Sequence, residues 1–103
     1  LTAARLRLQS SKTPLEASIF PNPASNRSSL NLILGQPSTL NVEVVDAIGR
    51  RVYQSHDPML TAGEHRMELP MDEWSDGQYY VLVQALSGDG QVLKQSLKLQ
   101  KKR

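Results

Sequence analysis

Hydrophobic and polar residues alternate along most of this chain with a period of two, the repeat of a strand and not of a helix. In SSLNLIL, Leu30, Leu32 and Leu34 face one way while Ser29 and Asn31 face the other. In LNVEVVD, Leu40, Val42 and Val44 oppose Asn41 and Glu43, and HRMEL sets Met67 and Leu69 against Arg66 and Glu68. QVLKQSLKLQ alternates Leu93, Leu97 and Leu99 with Lys94, Ser96 and Lys98. RRVYQ predicts a short strand around Val52, and Ala17 to Phe20 predicts another. QYYVLVQAL is apolar at both parities, with Tyr79, Val81 and Val83 against Tyr80, Leu82 and Leu86, which predicts a central strand covered on both faces. Nowhere does the pattern support an amphipathic helix.

Reversal signals fall between these segments. In DAIGRR, Asp46 suits the first position of a type I turn and Gly49 the left-handed position after it, the three-residue hairpin with a glycine bulge. LGQPS, TAGE, SDGQ and SGDG mark further turns. Short antiparallel strands at this spacing predict an all-β fold, an immunoglobulin-like two-sheet sandwich of about seven strands. IFPNPAS, from Ile19 to Ser25, interrupts the pattern with two prolines around one asparagine. Proline cannot donate to a ladder and biases its predecessor toward extended geometry. The segment is therefore expected to stay straight and to carry the first strand over the sandwich edge.

Length adds a size: 103 residues suffice for one domain that buries about two thirds of its unfolded surface. The absence of cysteine rules out disulfides and thiolate metal sites. No run approaches the length of a membrane-spanning helix. LTAARLRL has neither an initiator Met nor the apolar centre of a signal peptide, so the chain is expected to be a piece of something longer. The net charge of +2 conceals a polarity. Arg5, Arg7 and Lys12 precede every acid, and Lys94, Lys98, Lys101, Lys102 and Arg103 follow all ten. The termini are basic and the body acidic. Residues 4–9, ARLRLQ, read as a flexible leader or as the last strand of a preceding domain. Residues 1–15 are thus expected to be a linker, and residues 16–103 the sandwich.

Candidate chemistry is sparse. Expected in a polar loop is His56, and at a strand start His65; neither has a partner at metal-ligand or triad spacing. Asp72, Glu73 and Asp76 in MDEWSDG offer hard oxygens for a loose calcium site, although acids enriched in a turn explain them equally well. The aromatics lie apart from the basic termini, which argues against nucleic-acid binding. Trp74 fits a plug for the sandwich end better than a sugar-stacking platform.

Taken in order, the motifs resemble the C-terminal sorting domain of type IX secretion system cargo, found in Bacteroidota. An aromatic–Pro–Asn–Pro–small motif is matched by Phe20, Pro21, Asn22, Pro23 and Ala24. A D-x-x-G-[RK] hairpin is matched by Asp46, Gly49 and Arg50, with Val52 following, and a G-x-Y-x-[VL]-x-[VL] strand by Gly77, Tyr79, Val81 and Val83. The closing alternating strand with lysines is matched by Leu97, Lys98, Leu99, Lys101 and Lys102. Where the family often has Tyr this chain has Phe20, where a smaller aliphatic is usual it has Trp74, and its tail QKKR is more basic than in many members.

The resemblance implies an address and not a reaction: no catalysis and no cofactor. It implies passage through the periplasm to the cell surface or beyond, with an outer-membrane translocon, shuttle and sortase proteins as partners and a cargo domain upstream. The sortase would cut within residues 1–15. Translocon recognition would fall to Leu97, Lys98, Leu99, Lys101, Lys102 and Arg103, through strand addition at Gln91 to Gln100 or electrostatic steering by the lysines. Lys94 and Lys98 equally suit an edge strand protected against aggregation. Two alternatives accompany this reading: a retained docking domain of the secretion machinery, and a carbohydrate-binding or adhesive sandwich on a surface enzyme.

Overall fold

The computed structural model describes residues 15–102. Among them run seven strands: β1 (Leu15–Phe20), β2 (Arg27–Leu34), β3 (Ser38–Asp46), β4 (Arg51–Leu60), β5 (Gly63–Pro70), β6 (Gly77–Ser87) and β7 (Val92–Lys101). They form two antiparallel sheets, one ordered β1-β2-β5 and the other β4-β3-β6-β7. The expected all-β sandwich is the fold observed. What was expected of residues 1–14 and of Arg103 lies outside the described residues.

Alternation builds the core. The inward residues Leu30, Leu32 and Leu34 of one sheet meet Leu40, Val42, Val44, Val81 and Val83 of the other, all buried. Each such aliphatic contributes about 1.5–3 kcal/mol by leaving water. Leu69, Met71, Tyr79 and Leu99 close one end of this core.

Three expectations need correction. β6 is central, between β3 and β7, but it is covered on one face only: Leu82 and Leu86 are 38% and 40% exposed. A two-layer sandwich buries a single face of each sheet, so apolar residues on the second face stand in water. β4 runs ten residues and takes in His56, which pairs with Asn41 of β3 and lies in no loop. Sequence hid this strand because HDP breaks the apolar alternation. As an edge strand β4 tolerates Pro58 by bulging: Pro58 and Met59 together oppose Thr39. Met59 takes a φ of 52°, and its N–H donates to Thr39 Oγ1 at 3.4 Å.

The third correction concerns the proline segment. β1 and β2 are neighbours in one sheet, so IFPNPAS carries no strand across. It bends at residues 21–23 and again at 25–26, with Phe20–Pro21 and Asn22–Pro23 both cis. Between the bends it reaches the other sheet for a single parallel bridge, Ala24 with Lys101, and then returns to β2.

The β3–β4 hairpin forms as its residues require. Gly49 N–H donates to the Asp46 carbonyl at 3.0 Å, and the Asp46 carboxylate accepts the N–H groups of Ile48 and Arg50 at 3.1 and 2.8 Å. Gly49 has a φ of 90°, with no atom near the place a Cβ would occupy. Gly49→Ala is thus expected to cost about 1 kcal/mol through backbone strain alone, visible as a lower urea midpoint with an unchanged m-value.

Candidate functional site

Asn22 sits between two residues that have no N–H, and its side chain supplies what they lack. Nδ2 donates to the Lys98 carbonyl at 2.8 Å, and Oδ1 accepts the Gln100 N–H at 3.1 Å. One ladder step further, the Ala24 N–H donates to the Gln100 carbonyl at 2.8 Å. The Ala24 carbonyl in turn accepts the Lys102 N–H at 2.8 Å. The carboxamide thus stands in for a main-chain peptide unit, extending a short parallel ladder past a proline. Asparagine has the required donor and acceptor on one short side chain. The prolines thereby open a gap in the ladder that the residue between them fills.

This clasp fixes the outer edge of β7 at its C-terminal end. Alternation continues through the tail: Leu99 and Lys101 point inward, while Lys98, Gln100 and Lys102 point out. Lys101 is only 3% exposed, and its Nζ donates to the Trp74 carbonyl at 2.6 Å. The ammonium anchors the β5–β6 loop from below. Leu97 is partly buried against the core. Of the residues expected to meet a partner directly, Lys98 and Lys102 therefore present their side chains, while Leu99 and Lys101 support the surface from within. Parity with Leu97 and Leu99 was the signal for Lys101, and its charge obscured it.

Trp74 plugs this end of the sandwich, with ring centroids 5.1 Å from Tyr79 and 6.5 Å from Tyr53. The Tyr79 hydroxyl donates to the Ser75 carbonyl at 2.6 Å, tying the loop to β6. Burial pushes the Tyr79 phenol above its ordinary pKa. The Arg50 N–H bonded to its carboxylate, ahead of the neighbouring Ile48 N–H and the Arg50 guanidinium at 3.1 Å, holds Asp46 below the usual carboxylate range. A shallow open hollow lies between this hairpin and the loop, lined by Ile48, Arg50, Trp74 and Asp76 among others.

Pairing brings the motifs together. Asp46 faces Tyr79, Gly77 faces Lys101, and Lys101 bridges to Ala24. The segments around Phe20–Ala24, Asp46–Arg50, Gly77–Tyr79 and Lys98–Lys102 thus converge on one end of the sandwich. Phe20 projects there, 75% exposed. Sequence reasoning missed this convergence, because the Asn22 contacts span 76 and 78 residues.

The remaining candidates do not assemble. His56 Nδ1 lies 2.5 Å from Asn41 Oδ1 and His65 Nε2 lies 2.7 Å from the Thr61 carbonyl, each in a local pair. Among the described residues no group of three or more metal-ligating side chains comes together. No helix among those residues is long and apolar enough to cross a membrane.

Comparison with known proteins fits this arrangement. The fold is similar to that of CopC from Methylosinus trichosporium OB3b, with 20% identity, a TM-score of 0.64, and coverage of 86% of this chain and 92% of that one. It is also similar to the PmoD soluble domain from Methylocystis sp. (Rockwell), with 15% identity, a TM-score of 0.58, and coverage of 85% and 90%. At such identities the likeness speaks for the fold alone. No curated protein matches. The family described as "Secretion system C-terminal sorting domain" matches residues 18–99, from within β1 to near the end of β7. A match of that extent shows the family: the chain belongs to the C-terminal sorting domains of type IX secretion.

Proposed function

We propose that residues 16–103 are a non-catalytic address that directs an attached cargo across the outer membrane through the type IX translocon. The observation that carries this reading is the gathering of the four family motifs at one end, locked by Asn22. A catalytic domain needs convergent ionisable groups in a cleft. This end instead offers a rigid rim, with Phe20, Lys98 and Lys102 outside and Leu99, Lys101 and Trp74 holding it in shape. Arg103 continues the same basic stretch. Packing of Trp74 between two tyrosines favours its role as a plug over sugar binding.

In this reading the host belongs to the Bacteroidota, and the domain folds in the periplasm and travels to the cell surface or medium. Shuttle and translocon proteins take hold of the rim. Residues 1–15 are the linker in which a surface sortase cuts. If the domain serves as a retained docking subunit instead, mass spectrometry of the mature protein finds residues 16–103 still attached.

The test fuses residues 1–103 to a periplasmic reporter in a host carrying the system. The unmodified fusion is expected outside the cell. Charge reversal at the exposed pair, Lys98→Glu with Lys102→Glu, is expected to slow export by about tenfold, the scale of electrostatic steering. A reporter that stays in the periplasm with the intact domain would overturn the assignment.

A further inference from the structure

Each sheet has two edges, and three of the four are bulged, short or closed by a proline. β4 carries two register shifts and Pro58, β1 is six residues long and runs into Pro21, and β5 ends at Pro70. β7 differs: it has ten residues, no proline or glycine, and an unbroken register with β6. The clasp covers only its C-terminal part. The N–H groups of Gln100 and Lys102 point at the clasp, and backbone direction alternates along a strand. The N–H and C=O groups of Val92, Lys94 and Ser96 therefore face the same way, and no strand among the described residues is hydrogen-bonded to them, although β1 of the other sheet approaches β7. Gln95, within this stretch, has a side-chain oxygen shielded from water and without a hydrogen-bond partner. That side chain shares the inward parity of Leu93 and Leu97, so its oxygen belongs to the inner face of β7 and not to the open edge.

We propose that Val92 to Ser96 is a strand-addition site for an extended acidic segment of a partner protein, with the Asn22 clasp ending the added strand at Lys98. The inference rests on the sorting reading and specifies how the partner holds the domain. Main-chain pairing supplies the attachment. Charge selects the occupant: Lys94 and Lys98 project on the outer face, and neither is in an ion pair among the described residues. A second copy of this chain is a poor occupant. Antiparallel pairing of two β7 edges about Ser96 sets each Lys94 opposite the other copy's Lys98, and like charges directly opposed destabilise a ladder. A strand with Glu or Asp at those positions pairs with both lysines.

Ser96→Pro separates this proposal from a merely structural role. The Ser96 N–H points away from β6, so proline there removes no ladder bond within the domain and suits an edge position. Lys94→Pro, one ladder step away, gives the same readout independently. In the reporter fusion, each variant is expected to melt within a few degrees of the unmodified domain and to lose export by about tenfold or more. Ser96→Thr is expected to export normally, Lys94→Arg normally, and Lys94→Glu poorly. Export of both folded proline variants at the unmodified level would overturn strand addition while leaving the sorting reading intact. Loss in the proline variants with normal export of Lys94→Glu would overturn the acidic partner. Failure of the unmodified fusion itself would overturn the reading on which both rest.

Discussion

Truncation after Lys98 is expected to destabilise the domain by about 4 kcal/mol or more, which makes the tail part of the fold. Leu99 is fully buried, and removing a buried leucine costs about 2–5 kcal/mol. The same cut removes the Gln100 and Lys102 groups that meet Ala24 and Asn22, together with the Lys101 ammonium beneath Trp74. Each net hydrogen bond adds about 0.5–1.5 kcal/mol. Set against a typical total of about 5–15 kcal/mol, the loss leaves a domain that is marginal or unfolded. Urea denaturation of the purified domain reads this directly as a large fall in midpoint. An unchanged midpoint would mean that the tail is a detachable appendage. The consequence for export experiments is practical: truncations confound recognition with unfolding, whereas substitutions at Lys98 and Lys102 do not.

Asn22→Ala has the second largest expected effect, about 1–2 kcal/mol for two hydrogen bonds at a solvent-accessible edge. Asn22→Asp is not expected to restore stability. It keeps an acceptor for Gln100 N–H but sets a carboxylate oxygen where Nδ2 donates to the Lys98 carbonyl. Amide exchange localises the effect: Gln100 and Lys102 are expected to lose protection in Asn22→Ala, while amides in the middle of β3 and β6 keep theirs. Equal loss across the whole domain would show that Asn22 supports the fold globally and not as a clasp.

The sequence revealed the sandwich because period-two alternation and glycine turns are local signals, each legible within ten residues. Asp46 and Gly49 announced their hairpin for the same reason. β4 was half hidden: a bulged edge strand tolerates HDP, which reads as loop when apolar alternation is the guide. The outer face of β6 misled in the opposite direction, since Leu82 and Leu86 are apolar without being covered. Lys101 shows two signals in conflict. Its charge argues for the surface, its parity for the interior, and the carbonyls of the β5–β6 loop let parity prevail by accepting hydrogen bonds from the ammonium.

The candidate site was legible as four motifs and illegible as one place. Convergence depends on which strands become neighbours, and that is decided by pairing across the whole chain. Asn22 is the clearest case. Local rules explain why a strand stops at two prolines, whereas the partner of the asparagine lies at the opposite end of the domain in sequence.

The most direct measurement of the sorting role is the fraction of a reporter, fused to residues 1–103, found outside the cell in paired strains with and without a working type IX translocon. A folded domain addressed by its rim carries the reporter out in the first strain and leaves it in the periplasm in the second. Equal distribution in the two strains would contradict that role, whatever the stability of the fold.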